Sequence, residues 1–132
     1  EVPDAGHEQE LTSPASLKLV WLHGTGNGLA PSRLEEVLRT ISVPEGRTPY
    51  VWVAGEARST RAIRKYLRHE LGWTPASYSV TGYWTADKEA WARSWAALDP
   101  AVKRRIDDLW ASNREREEVT DEVEATLERF GL

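Results

Sequence analysis

The segment Tyr50–Trp84, YVWVAGEARSTRAIRKYLRHELGWTPASYSVTGYW, constrains the fold more than any other part of the chain. Tyr50-Val51-Trp52-Val53-Ala54 is an apolar run of β-formers without clean alternation, the pattern of a strand buried on both faces. Gly55-Glu56 reads as a turn. From Ala57 onward, Ile63, Tyr66, Leu67 and Leu71 share one helical face, and Arg61, Arg64, Lys65 and Arg68 take the solvent-facing positions. Gly72 is placed to stop that helix. Tyr78–Thr81 is a second strand, followed by Gly82-Tyr83-Trp84. A strand, a crossover helix and a second strand over about 35 residues predict a right-handed βαβ unit. In open parallel sheets, ligands bind beyond the carboxyl ends of the strands. Those ends carry Gly55-Glu56 and Gly82-Tyr83-Trp84. They offer a close backbone approach, a carboxylate and two aromatic rings.

Upstream, Leu17–His23 is a further apolar run that predicts a buried strand. The glycine-rich turn Gly24–Gly28 follows. Ser32 and Glu35 have the spacing of a capping box. Leu34, Val37, Leu38 and Ile41 then give a short amphipathic helix, and Val43–Pro49 connects it to the strand at Tyr50. Alternating strands and helices predict the α/β class, as a three-layer, Rossmann-like parallel sheet spanning 1–86. After Ala86 the pattern becomes helical. Trp91, Trp95 and Leu98 form one stripe, and Val102, Ile106, Leu109 and Trp110 the next, behind an Asp99-Pro100 start. Val119, Val123, Leu127 and Phe130 form the last, with Asn113 as the expected cap. A helical extension over 87–132 is expected to pack on the sheet or on a partner chain, because isolated helices of this length are marginal in water.

Bulk composition removes several function classes. A net charge of −4 and a pI near 5.4 argue against a general nucleic-acid-binding role. With no Cys there are no disulfides, iron–sulfur clusters or thiolate nucleophiles. No apolar run is long enough to span a membrane and no signal-peptide pattern occurs, so a cytoplasmic protein is the expectation. The three His, at positions 7, 23 and 69, have no metal-ligand spacing. Gly24-x-Gly26-x-Gly28 is not the dinucleotide fingerprint, which would need a glycine at the position of Leu29.

The strand ends also carry a family resemblance. VWVAGEA, a basic amphipathic helix ending in Leu71-Gly72, and SVTGYW together resemble the pyridine-nucleotide-binding part of siderophore-interacting proteins. LKLVWLH over Leu17–His23 and EVPDAGHEQEL over Glu1–Leu11 extend it. The resemblance implies half of a ferredoxin-reductase-type nucleotide-binding domain. It implies electron flow from NADPH or NADH to FAD and then to a ferric siderophore, whose iron is released on reduction to Fe(II). It points to Gly55, Glu56, Ala57, Arg58, Gly82, Tyr83 and Trp84 as cofactor-binding residues. The carboxylate of Glu56 would orient the nicotinamide and not act as a base. The competing role for Glu56 is favourable placement at a helix N-terminus. Arg58 and Arg61 are candidates for a phosphate contact. Family members commonly carry a basic residue just after the Tyr-Trp pair. Here Lys88 is the nearest, which makes it the candidate for contact with an anionic siderophore.

The family's flavin motif, Arg-x-Tyr-Thr, and its Gly-Asp-Glu-Thr-type turn do not occur in the sequence. The chain has no Met and starts at Glu1. These features give the expectation of a piece of a longer protein whose FAD-binding barrel lies elsewhere, with no FAD bound to this chain and no activity by the chain alone. A homodimer is the expected state, formed through exposed sheet edges. The alternative is a non-catalytic α/β interaction module that binds neither flavin nor nucleotide and docks a partner through its Trp-rich helices.

Overall fold

The computed structural model describes residues 1–28, 30–43 and 46–132. Leu29, beside the glycine-rich turn, and Pro44 and Glu45, within the expected 43–49 connection, lie outside the described residues. The chain divides into two compact units, Glu1–Ala86 and Asp87–Leu132.

The first unit is built on the predicted βαβ motif. Strand β1 (Val51–Glu56) and strand β2 (Tyr78–Trp84) pair in parallel, and helix α2 (Ala57–Lys65) crosses between them. A shorter helix, α1 (Leu34–Thr40), precedes β1. Helix α2 continues as a wider π-helical turn over Tyr66–Glu70, where the Leu71 amide donates to the Tyr66 carbonyl at 3.1 Å. Gly72, at φ +67°, then reverses the chain, and the Trp73 amide closes the turn on the Leu67 carbonyl. Ile63 and Leu67 are fully buried and Tyr78 nearly so. Leu34, Leu38, Val51, Val53 and Val80 pack around them. Alternate residues of β1 and β2 therefore face the two helices. Arg39 ties α1 to the end of α2. Its guanidinium stacks 4.1 Å over the Tyr66 ring, reaches Glu70 at 2.6 Å and pairs with Glu35 at 3.0 Å.

Gly82 sets the distance between helix and sheet. A Cβ on Gly82 would fall 3.0 Å from the Ala57 Cα and 3.2 Å from its Cβ, so the first turn of α2 rests directly on the β2 backbone. Its β1 partner, Gly55, is less crowded. A Cβ there would meet Thr60 and Leu34 at 3.7 and 3.8 Å, ordinary contact distances.

Several expectations are corrected. Leu17–His23 is not a strand. Leu17, Leu19 and Val20 are exposed, and the segment contributes one parallel bridge, between Val2 and His23. Apolar residues need a partner strand to form a ladder, and Glu1–Val2 supplies only one rung. Among the described residues the sheet has two strands. β1 is buried on one face only, because Val51 and Val53 face the helices while Tyr50 and Trp52 stay exposed at 62% and 64%. Only the serine half of the capping box forms. The Ser32 hydroxyl accepts from the Leu34 amide at 3.2 Å while donating to the Glu1 carboxylate at 2.7 Å, and Glu35 turns to Arg39. Ile41 falls past the end of α1 and is exposed. Arg64, expected in solvent, is buried, because Thr60, Ile63, Arg64 and Leu67 form one continuous stripe at helical spacing.

The second unit is all helix: α3 (Lys88–Ala97), α4 (Pro100–Ala111) and α5 (Arg116–Arg129). Ile106, Val119 and Val123 form its buried centre, with Trp95, Val102, Leu109 and Leu127 against them. Trp91 and Trp95 stack with centroids 5.6 Å apart and planes within 6°. The Asp99 carboxylate caps α4 on the Ala101 amide at 2.7 Å, as expected. The cap of α5 is Glu115 and not Asn113. Trp110 and Phe130 are more exposed than their stripes predict, Trp110 lying under the Arg116 guanidinium at 4.6 Å.

Gly82→Ala is expected to lower stability by about 1–3 kcal/mol, the usual cost of overpacking a close contact. Gly55→Ala should change it by less than about 1 kcal/mol. Urea unfolding of the two variants compares them directly. Equal midpoints would show that α2 moves off the sheet without cost.

Candidate functional site

The carboxyl ends of β1 and β2 place the sequence-derived candidates side by side. Gly55 pairs with Gly82, and the register then slips so that Glu56 pairs with Trp84. Tyr83 is the extra residue of this bulge and is 71% exposed, whereas Trp84 is partly buried. Tyr83 keeps the outward parity of Ser79 and Thr81, on the face of β2 that the helices leave uncovered, so its ring stands in solvent beside the paired glycines. Ala57 and Arg58 begin α2 directly above, with Arg58 exposed. Gly55, Glu56, Ala57, Arg58, Gly82, Tyr83 and Trp84 thus share one end of the first unit. Lys88 is in the second unit, as the exposed first residue of α3.

Glu56 is the best-held side chain of the group. Its Oε2 accepts hydrogen bonds from the Ser59 amide at 2.9 Å and the Ser59 hydroxyl at 3.3 Å, and its Oε1 accepts from the Ala86 amide at 3.4 Å. It is the N-cap of α2. Burial pushes the Glu56 carboxyl upward. The amides of Arg58, Ser59 and Ala86 and the Ser59 hydroxyl outweigh that and hold it below the ordinary glutamate range. The first-turn amides of α2 are therefore already turned to a carboxylate. A nucleotide phosphate at this helix end would compete with Glu56, which leaves Arg58 and Arg61 without the amide support that a phosphate contact there would use. Sequence reasoning missed Ser59 and Ala86. An acidic residue at a strand-to-helix turn with Ser three positions on is the signal that would have found the first.

The glycine-rich turn precedes α1, whose first residue, Leu34, lies within ordinary contact of a side chain built at Gly55. It is organised by Glu1. The Glu1 carboxylate accepts from the Thr25 hydroxyl at 3.0 Å, the Ser32 hydroxyl at 2.7 Å and the Arg33 amide at 2.7 Å. His23 lies next to it, 2.6 Å from Glu8. Among the described residues no cluster of His, Cys, Asp and Glu could hold a metal ion, and no helix is long and apolar enough to cross a membrane.

The strand ends of this parallel βαβ unit thus bring together two glycines, a capping carboxylate and an exposed aromatic ring. Residues 1–87 match the family model of siderophore-interacting proteins, and the chain belongs to that family. The match ends within one residue of the boundary between the two compact units. Comparison with curated proteins and with solved structures returned no match.

The capping role of Glu56 has a measurable pH signature. A carboxyl held below its unfolded value stabilises the fold above that value, and the contribution is lost as pH falls through the folded one. Glu56→Ala should cost about 1 kcal/mol at pH 7. The gap from wild type should close as the pH is lowered below about 4. A gap that stays constant from pH 7 to pH 3 would mean that the carboxylate is not the stabilising group.

Proposed function

We propose that this chain is the NADPH- or NADH-binding part of a flavin-dependent ferric-siderophore reductase, which frees iron by reducing Fe(III) to Fe(II). Residues 1–86 would form part of the nucleotide-binding α/β domain and 87–132 its helical extension. The observation that carries the reading is the paired strand ends, Gly55-Glu56 beside Gly82-Tyr83-Trp84, in a chain of the siderophore-interacting family.

The residues present suit a nicotinamide ring. Gly82 is exposed at the strand end, and the exposed Tyr83 ring beside it offers a stacking face. They suit a pyrophosphate at the start of α2 poorly, because the Glu56 carboxylate already occupies those amides. A reduced nicotinamide bound here supplies the hydride. The chain's own part is to orient the ring and keep its approach fixed. FAD would be held by a separate barrel of the kind that the family resemblance implies. An anionic ferric siderophore is the substrate, with Lys88 as the cation proposed to meet it.

A second reading has its own observation. The open edge of β1 flanks an apolar groove of about 420 Å³ against α1, rimmed by the exposed Ile41, Tyr50 and Trp52. Such a surface suits a non-catalytic interaction module, or pairing of two copies as a homodimer.

Binding of NADPH and NADH to the purified chain, followed by energy transfer from its tryptophans, separates the two. The nucleotide reading expects saturable binding at or below about 1 mM, weakened by Tyr83→Leu. No transfer with either nucleotide favours the interaction module. The same preparation is expected to be colourless and to leave a ferric chelate unreduced in the presence of NADPH. A bound yellow flavin would overturn the assignment of FAD to a separate barrel. Light scattering tests the dimer, and a mass near the 14.9 kDa of one chain at high concentration would refute it.

A further inference from the structure

Glu56 contacts more of the strand-end site than a helix cap requires. Its backbone pairs with Trp84, on the far side of the bulge from the Gly55–Gly82 pair. Its carboxylate reaches past Trp84 to the amide of Ala86 and, with the other oxygen, holds Ser59 in the first turn of α2. Gly82, on the near side of the bulge, is pressed against Ala57. The residues on both sides of Tyr83 are therefore fastened to the same turn of helix, and Tyr83 is the one left outside.

We propose that Glu56 is the positioning residue of this site: through Ala86 it ties the exit of β2 to α2 and so steadies the backbone that carries the outward-facing Tyr83 ring as a stacking face. The function of that face rests on the nucleotide reading given above, its partner being the nicotinamide ring. A carboxylate is the group suited to the task, because it can accept from the helix amide and the exit amide at once. Glutamine cannot. It has one carbonyl oxygen, so whichever way its amide turns, one of the two N–H groups faces another N–H donor. The carboxylate form is also the one favoured at neutral pH, since the amides around Glu56 hold its carboxyl below the ordinary range against the opposing effect of burial.

The test uses the 132-residue chain labelled with 3-fluorotyrosine, whose four tyrosines give separable fluorine signals, that of position 83 being assigned by its loss in Tyr83→Phe. Wild type is compared with Glu56→Gln and with Ala86→Pro, which removes the exit N–H while leaving the carboxylate in place. Helix content by circular dichroism checks that each variant folds. Both variants should narrow the Tyr83 fluorine line. Glu56→Gln should also speed exchange of the Ala86 amide and raise the Kd for NADH about three- to tenfold, as the loss of one hydrogen bond predicts. Folded variants with a wild-type Tyr83 line, and wild-type Ala86 exchange in Glu56→Gln, would overturn the proposal. Wild-type chain that binds no nucleotide, together with a Tyr83 line that still responds to both variants, would overturn the nucleotide reading and leave the positioning role of Glu56 standing.

Discussion

The contact between Gly82 and Ala57 is the constraint on which the first unit depends. With a methyl group at position 82, the first turn of α2 would have to give by a few tenths of an ångström, and with a larger side chain by more. A shift large enough to raise the helix would loosen the packing of Leu34 and Leu38 around the fully buried Ile63 and Leu67. In a unit this small, a helix seated tightly on two strands supplies most of the apolar burial available, because an isolated pair of strands is marginal in water. The ionic contacts of Arg39 with Glu35 and Glu70 are exposed and contribute little by comparison. They orient α1 more than they stabilise it.

The same junction brings structural and functional demands onto a few residues. The turn from β1 into α2 must cap a helix, and it is also where a ligand would approach the strand ends. Glu56 meets the first demand with a carboxylate, and its negative charge then shapes what the second can accept. A neutral or cationic ring such as nicotinamide is compatible with a neighbouring carboxylate, whereas a phosphate group is repelled by it. Family membership ties the chain to siderophores.

The βαβ core was legible in the sequence because its signals are local. An apolar run, a glycine turn and a 3.6-residue stripe ending in Leu71-Gly72 each reflect backbone geometry within a few residues. What failed was non-local. Leu17–His23 has the composition of a strand, but a strand exists only with a partner, and the Glu1–Val2 segment pairs with it at a single rung. The exposure of Trp52 could not be read either, since an apolar run does not say how many faces will be covered. Arg64 was misplaced because charge suggested solvent while its spacing from Thr60 put it on the buried stripe. At the candidate site, the strand-end residues were identified by position. The bulge at Tyr83 and the reach of Glu56 to Ala86 depend on register, which no single strand records. Lys88 stands in the other unit, so its part rests on the family resemblance alone.

The paired indoles of Trp91 and Trp95 give the helical unit an optical identity of its own. Two rings held nearly parallel at 5.6 Å couple their electronic transitions, so the pair should produce a split circular-dichroism band that separate tryptophans lack. The chain thus carries a built-in chiroptical label, allowing the assembly of its helical part to be followed spectroscopically while the sheet is folded, unfolded or altered by substitution.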